Sequence, residues 1–303
     1  MIAFPGAVAQ SVELDPQQTA NDLGPDGPIA KAMLHYEDRP AQREMAFTIS
    51  GLYNDGGVGL IEAGTGVGKS LGYLMPALRW AALTGERTVV STNTINLQEQ
   101  LVRKDLPFLA EALRGEQEVR YALLKGWRNY LCLLRLEQAK LIGPSLIDDG
   151  AGGIDGIARW AERTEDGSIS DLPSPPSPEV WDEVAAEADL CIRADCPHYE
   201  KCFFFRARRV AAQAQVVVAN HHLLMSDVAV RRVLRNWEEA AVIPAYGRLV
   251  IDEGHHLEEA AAAHLGESAT RRGMQRLLGR LARTSATRGG SSGLLAALEH
   301  RLR

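Results

Sequence analysis

The sequence predicts an α/β protein built on a parallel sheet, and three observations carry that expectation. Short apolar, β-branched runs alternate with stretches of helical period. The stretch Glu62-Ala63-Gly64-Thr65-Gly66-Val67-Gly68-Lys69-Ser70 has the form of a phosphate-binding loop set between a strand and a helix. A second apolar run, Leu249-Val250-Ile251, ends in the adjacent carboxylates Asp252 and Glu253.

In chain order, residues 1–28 carry Pro, Gly, Asp and Gln without periodicity and read as a flexible lead-in. VGLI at 58–61 reads as the strand entering the loop, and LGYLMPALRWAAL as the helix leaving it. TVVS at 88–91 is the next strand, NLQEQLVRKDLPFLAEAL is helical, and residues 119–124 form a further strand. Residues 141–180 break this rhythm, being loop-forming around one helical piece, IDGIARWAERT. Strand texture returns at 215–219 and 248–252, so the irregular, cysteine-bearing stretch between them reads as an insertion. Beyond Glu258 the text is helical and Arg-rich. The expected organisation is a lead-in at 1–28, a nucleotide-binding α/β domain from 29–113 and 214–259, an inserted domain at 114–213, and the start of a helical domain at 260–303.

The 303 residues, 46% hydrophobic and 24% charged, suffice for two domains with a buried core. No apolar run reaches bilayer length, and the N-terminus lacks a basic start followed by a long apolar core, so a cytoplasmic protein with no membrane partner is expected. The net charge of −6 announces no nucleic acid, although a basic groove is compatible with an acidic total.

In such a loop, backbone N–H groups surround phosphate oxygens at a helix N-terminus, a lysine reaches the β- and γ-phosphates, and a hydroxyl ligates Mg²⁺. Gly64, Gly66 and Gly68 supply the turn, Lys69 the ammonium and Ser70 the hydroxyl, while Ala63 stands where the pattern has its first glycine. Mg²⁺ at a phosphate also wants a carboxylate at the end of a neighbouring strand, which Asp252 offers, and Glu253 is positioned to polarise an attacking water. An ordinary Gly-rich turn and a strand ending in solvated acids are the plainer readings, disfavoured by the Lys-Ser pair and by Gly254-His255 after the acids.

These residues resemble a known family. DEGH, Asp252 to His255, is similar to the DEAH box of superfamily 2 helicases; VVSTNTINLQEQL, Val89 to Leu101, resembles their motif Ia; and YEDRPAQREMA, Tyr36 to Ala46, resembles the adenine-reading segment upstream of the loop. VVVANHHLLMSD, Val216 to Asp227, and KGWRNYLC, Lys125 to Cys132, resemble the DinG/YoaA branch of XPD-like DNA helicases. The resemblance implies a RecA-like P-loop fold with an inserted iron–sulfur domain and the start of an arch domain. It further implies ATP-dependent 5′ to 3′ translocation on single-stranded DNA, a role in repair or replication, a monomer, and replication or repair proteins as partners. By the same resemblance Gln42 reads adenine and His255 couples nucleotide state to DNA. On this reading the chain is the N-terminal part of such a helicase and stops before the second motor domain.

The cysteines bear on this independently. Cys132, Cys191, Cys196 and Cys202 all fall in the insertion, which in a cytosolic chain argues for metal over disulfides. Their close spacing, C-x4-C-x5-C, lacks the C-x-x-C knuckles of structural zinc and favours a four-thiolate iron–sulfur cluster, [4Fe–4S] by the resemblance. DCPHYEKC is almost wholly polar, so the insertion is expected to lack an apolar core of its own. Lys201, Arg206, Arg208 and Arg209, interleaved with Tyr199, Trp127 and Phe203 to Phe205, suit single-stranded or tailed duplex DNA. The phenylalanines read better as core, and the arginines equally well as a solvated helix face. His221 and His222 read as structural. Two other classes compete: a zinc-containing P-loop ATPase without helicase action, and a DNA-binding remnant with a vestigial nucleotide site.

Overall fold

The computed structural model describes residues 12–64, 66–113, 118–142 and 153–266, together with Leu278, Arg283–Thr284 and Ser291–Ser292. Four strands, β1 (Thr88–Thr92), β2 (Tyr121–Leu123), β3 (Val216–Asn220) and β4 (Arg248–Ile251), form one sheet in the order β2-β3-β1-β4. Every pairing is parallel. The strands read as near-continuous valine runs because both faces are covered. Val90, Val216 and Val218 pack into one core, and Val89, Val217 and Ala219 into the other.

The first face is covered by α1 (Pro16–Asp22), α2 (Pro28–Ala32), α3 (Pro40–Asp55), α4 (Lys69–Thr84), α5 (Ile95–Gln100) and α6 (Leu106–Ala112). Between α5 and α6 the chain makes one π-helical turn, Leu101–Asp105, of the kind that re-aims a side chain within a helix. The insertion contributes α7 (Leu133–Ile142), α8 (Ile154–Ala161), α9 (Pro178–Val184) and α10 (Phe203–Gln213). The second face is closed by α11 (His221–Leu234) and α12 (Leu257–Leu265), while β5 (Arg283–Thr284) and β6 (Ser291–Ser292) pair antiparallel with each other. Most of the expected helical domain at 260–303 lies outside the described residues.

Three expectations are corrected. The later part of the lead-in is ordered: Asp15 caps α1 by accepting from the Gln18 N–H, Pro16 starts the helix, and Leu14 and Leu23 are buried in the core. Residues 58–61 are not a strand. They are unpaired, with Val58 90% and Leu60 97% exposed, because the glycines at 57 and 59 weaken a run that already lacks a hydrogen-bonding neighbour. β4 is therefore an edge strand whose Leu249 and Ile251 are partly exposed. Lastly, the insertion does have its own apolar core. Tyr130, Leu131, Ile157, Val180, Trp181, Val184, Phe203 and Phe204 bury one another. Reading the polar stretch DCPHYEKC by itself concealed this, because the apolar residues come from four separated segments.

Insertion and sheet are joined by a buried lysine. Lys125, 1% exposed beyond the end of β2, donates to Glu99 on α5 at 2.8 Å, to Ser168 Oγ at 2.8 Å and to Ser170 Oγ at 2.7 Å. All three ammonium protons are thus satisfied, and the two serines belong to the insertion. Removing one member of a buried ionic network leaves uncompensated charge. Lys125→Met should cost about 3–5 kcal/mol in equilibrium urea unfolding, and Glu99→Gln in the same chain should recover part of that loss.

Candidate nucleotide and cluster sites

The phosphate loop lies against the carboxyl end of β4. Lys69 is the first residue of α4, and its Nζ stands 3.2 Å from Glu253 Oε1, both side chains being about one-third exposed. One turn later, the buried Tyr73 hydroxyl donates to Asp252 Oδ2 at 2.9 Å, while the Glu253 N–H donates to Asp252 Oδ1 at 2.9 Å. Residues 179 and 184 positions apart thereby meet at one strand end. Ligands of open parallel sheets bind at this end. Glu253 itself is left-handed, φ 54° and ψ 45°, a conformation costing a non-glycine residue about 1–2 kcal/mol. Such strain gathers where a side chain must be aimed.

The glycines serve the turn as the sequence suggested. Gly66 and Gly68 have φ of 84° and 81°, and a Cβ on Gly68 would stand 2.2 Å from Gln42 Nε2. Among the described non-glycine residues only Arg193, Arg235 and Glu253 have positive φ, so alanine is unstrained at position 63. Ala63 and Val67 are half-buried, and Gly64 is exposed; Thr65 lies outside the described residues. Gln42 is buried and donates to the Gly68 carbonyl at 2.7 Å, so it braces the loop itself.

Other residues gather around the two acids. Asp105, delivered by the π-helical turn, is buried beside Ser70. Burial pushes its carboxyl above the ordinary range, against the lowering pull of the Ser70 hydroxyl and Gln100. His221, 1% exposed, pairs through Nδ1 with Ser91 Oγ at 2.7 Å. Burial pulls its pKa down, opposed by the backbone of Glu253 and Asp252, so the ring is neutral at pH 7. The Asp252 N–H donates to the Ser91 carbonyl at 2.8 Å. His255 is largely exposed, with Nδ1 3.6 Å from Glu253 Oε2. Ser70 and Asp252 are oxygen donors of the kind Mg²⁺ accepts, and Mg²⁺ is commonly held by one or two protein oxygens plus phosphates and water.

The four cysteines line one cavity in the insertion, with Trp127, Arg135, Tyr199 and Phe205. They are near enough to act on one another electrostatically, and burial raises the thiol pKa values of Cys132 and Cys202. Among the described residues no three Cys, His, Asp or Glu side chains converge as ligands of a single ion. That spread disfavours zinc, whose thiolates sit about 2.3 Å from one point, and suits four thiolates around a larger cluster body. Next to the cavity Phe203 and Phe204 are buried. Arg208 lies over the Phe204 ring and donates to the Val242 carbonyl, which leaves Arg206, Arg209 and Lys201 as the cations nearer the surface.

No protein-family model matches the chain. It is 38% identical over 253 residues to the ATP-dependent DNA helicase YoaA of Escherichia coli K12, covering 83% of this chain and 38% of that protein. It is 37% identical over 247 residues to the ATP-dependent helicase DinG of Mycobacterium tuberculosis H37Rv, covering 76% of this chain and 36% of the relative. The chain belongs to the DinG/YoaA family. A 31% match over 253 residues to the Bacillus subtilis protein named 3′-5′ exonuclease DinG covers 82% of this chain and 26% of that one. The chain thus spans less than two-fifths of the length of these relatives.

For this DinG/YoaA-family chain, the sequence named Lys69, Ser70, Asp252 and Glu253, and the structure gathers Lys69, Asp252 and Glu253 at one strand end with Ser70 on the same first turn of α4. It missed Tyr73, Asp105 and the Ser91–His221 pair. Only Tyr73 left a signal, standing four residues beyond Lys69 on the same helix face. No helix among the described residues is long and apolar enough to cross a membrane. Gly68→Ala should combine a left-handed alanine with a clash at Gln42. We expect a loss of about 1–3 kcal/mol in thermal unfolding and a weakened response to added nucleotide in the same scan.

Proposed function

We propose that the chain carries the first, RecA-like motor domain and the iron–sulfur insertion of an ATP-dependent DNA helicase that translocates 5′ to 3′ on single-stranded DNA. The observation that carries the reading is the convergence of Lys69, Asp252 and Glu253 at the carboxyl end of β4. Backbone N–H groups of the 63–70 loop cradle the phosphates of ATP, and Gln42 supports the loop beside the adenine side. Ser70 and Asp252 would hold Mg²⁺, which neutralises charge on the β- and γ-oxygens. Lys69 exchanges Glu253 for the phosphates. Glu253, so released, accepts the proton of a water that attacks the γ-phosphorus as the bond to the β-phosphate oxygen breaks, giving ADP and phosphate. His255, beside Glu253, is the group through which nucleotide state reaches DNA.

Cys132, Cys191, Cys196 and Cys202 would hold a [4Fe–4S] cluster that clamps α7 to the start of α10 and fixes a DNA-facing surface with Arg206, Arg209 and Lys201. The protein is read as a cytoplasmic monomer that serves DNA repair or replication on tailed duplexes. The chain corresponds to 38% of the length of the YoaA helicase, and an arginine from a second motor domain contributes about 10³–10⁵ in rate in this class. Strand separation is accordingly assigned to the two-motor helicase, and slow hydrolysis to this portion.

Calorimetric titration with Mg-ATP tests the site. Lys69→Ala should weaken binding about tenfold or more by removing a charge-assisted contact, whereas Glu253→Gln should bind normally and hydrolyse about 10² times more slowly. Equal affinity in wild type and Lys69→Ala would overturn the assignment. Protein purified without oxygen should be brown with about four irons per chain, and replacing any one of the four cysteines by Ser should bleach it. A colourless protein containing zinc would favour a zinc-bound P-loop ATPase instead.

A further inference from the structure

The Asp252 carboxylate is engaged on both oxygens before any ligand is considered. Oδ1 accepts the Glu253 N–H at 2.9 Å, and Oδ2 accepts the Tyr73 hydroxyl at 2.9 Å. Tyr73 is 1% exposed and stands three residues beyond Ser70 on the first turns of α4. Its ring is locked in the core with Leu74, Leu78 and Val90. Burial, reinforced by Asp252, pushes the phenol well above its ordinary pKa, so the hydroxyl stays a donor at any neutral pH.

The phosphate-loop helix is therefore joined to the end of β4 by two contacts of different character. The Lys69–Glu253 ion pair is one-third exposed and engages a lysine that a phosphate would also claim. The Tyr73–Asp252 bond ends on a phenol with no route to solvent. A carboxylate has about four lone-pair sites. Two are used here, and the remaining ones point where a cation's water shell would be received.

We propose that Tyr73 is a positioning residue for the divalent cation: its buried hydroxyl fixes the rotation of the Asp252 carboxylate relative to Ser70, and so sets affinity for Mg²⁺ and not for the nucleotide. This rests on the reading of Asp252 as a Mg²⁺ ligand. Without the hydroxyl, Oδ2 loses its partner and the carboxylate gains rotational freedom, while the ring still fills its place in the core. A hydrogen bond to a charged acceptor corresponds to roughly a tenfold change or more in an equilibrium constant.

The test measures ATP affinity by calorimetry in EDTA and across a Mg²⁺ titration. The variants are wild type, Tyr73→Phe, Asp252→Ala, the Tyr73→Phe/Asp252→Ala double variant, and Lys69→Ala. Tyr73→Phe should leave ATP affinity in EDTA unchanged and raise the half-saturating Mg²⁺ about tenfold. In the Asp252→Ala background the same change should shift nothing further, which isolates the pair. An unaltered Mg²⁺ midpoint in Tyr73→Phe overturns the proposal. So does an equal shift in the absence of Asp252, or a loss of ATP affinity in EDTA, since either marks a general structural effect. If Lys69→Ala binds ATP like wild type, it is the nucleotide site that fails, whatever Tyr73 does.

Discussion

The site depends on the register of β1 against its two neighbours. Ser91 stands level with Ala219 on β3 and Ile251 on β4, so the three strands end together. Parallel pairing then places the next residues, Asn220 with His221, and Asp252 with Glu253, along one rim. From that alignment follow the Ser91–His221 contact and the Asp252 N–H to Ser91 carbonyl bond. A slip of one residue would turn every strand side chain to the opposite face, and the valines that fill both cores forbid it. The catalytic geometry is thus fixed mainly by packing far from any polar group.

The insertion is attached to this rim without sharing its core. Its apolar residues form a separate cluster, and its described polar ties to the sheet converge on Lys125, with Arg103 reaching Asp166 and Asp171 beside it. Glu99, the motor-side acceptor, lies on α5, whose chain continues through the π-helical turn to Asp105 next to Ser70. One short path of packed residues therefore leads from the loop at 166–170 to the hydroxyl expected at the metal. It is a path of contacts; coupling along it would require two discrete arrangements of that helix.

Much of this was legible in the sequence. Strand runs of valine, the glycines before Lys69 and the acids after Ile251 are local signals, and each is governed by backbone or charge requirements of its own position. What was not legible arises from distance. The insertion's core is assembled from residues 130–136, 157, 180–186 and 203–204, no one of which looks like a core segment by itself. Tyr73 appeared to be one more apolar residue of a buried helix, and only the meeting with Asp252, 179 residues away, gives its hydroxyl a task. Residues 58–61 failed in the opposite sense. The local text is strand-like, but a strand is made by its neighbour, and β4 does not pair with it.

The turn after β4 is held by contacts that differ in how readily they can be exchanged. The left-handed Glu253 stores about 1–2 kcal/mol, and its side chain is held by an ion pair that, being partly exposed, contributes only about 0–1 kcal/mol. Asp252 is gripped by the buried Tyr73 hydroxyl and by the backbone of β1. A phosphate competing for Lys69 consequently meets little resistance at Glu253 and none that passes through Asp252. On the proposed reading, the acid that handles water is free to move as nucleotide arrives, while the acid that faces the cation stays where β4 put it. Separate retention of two adjacent carboxylates is what lets a single turn both keep a metal site in place and respond to its substrate.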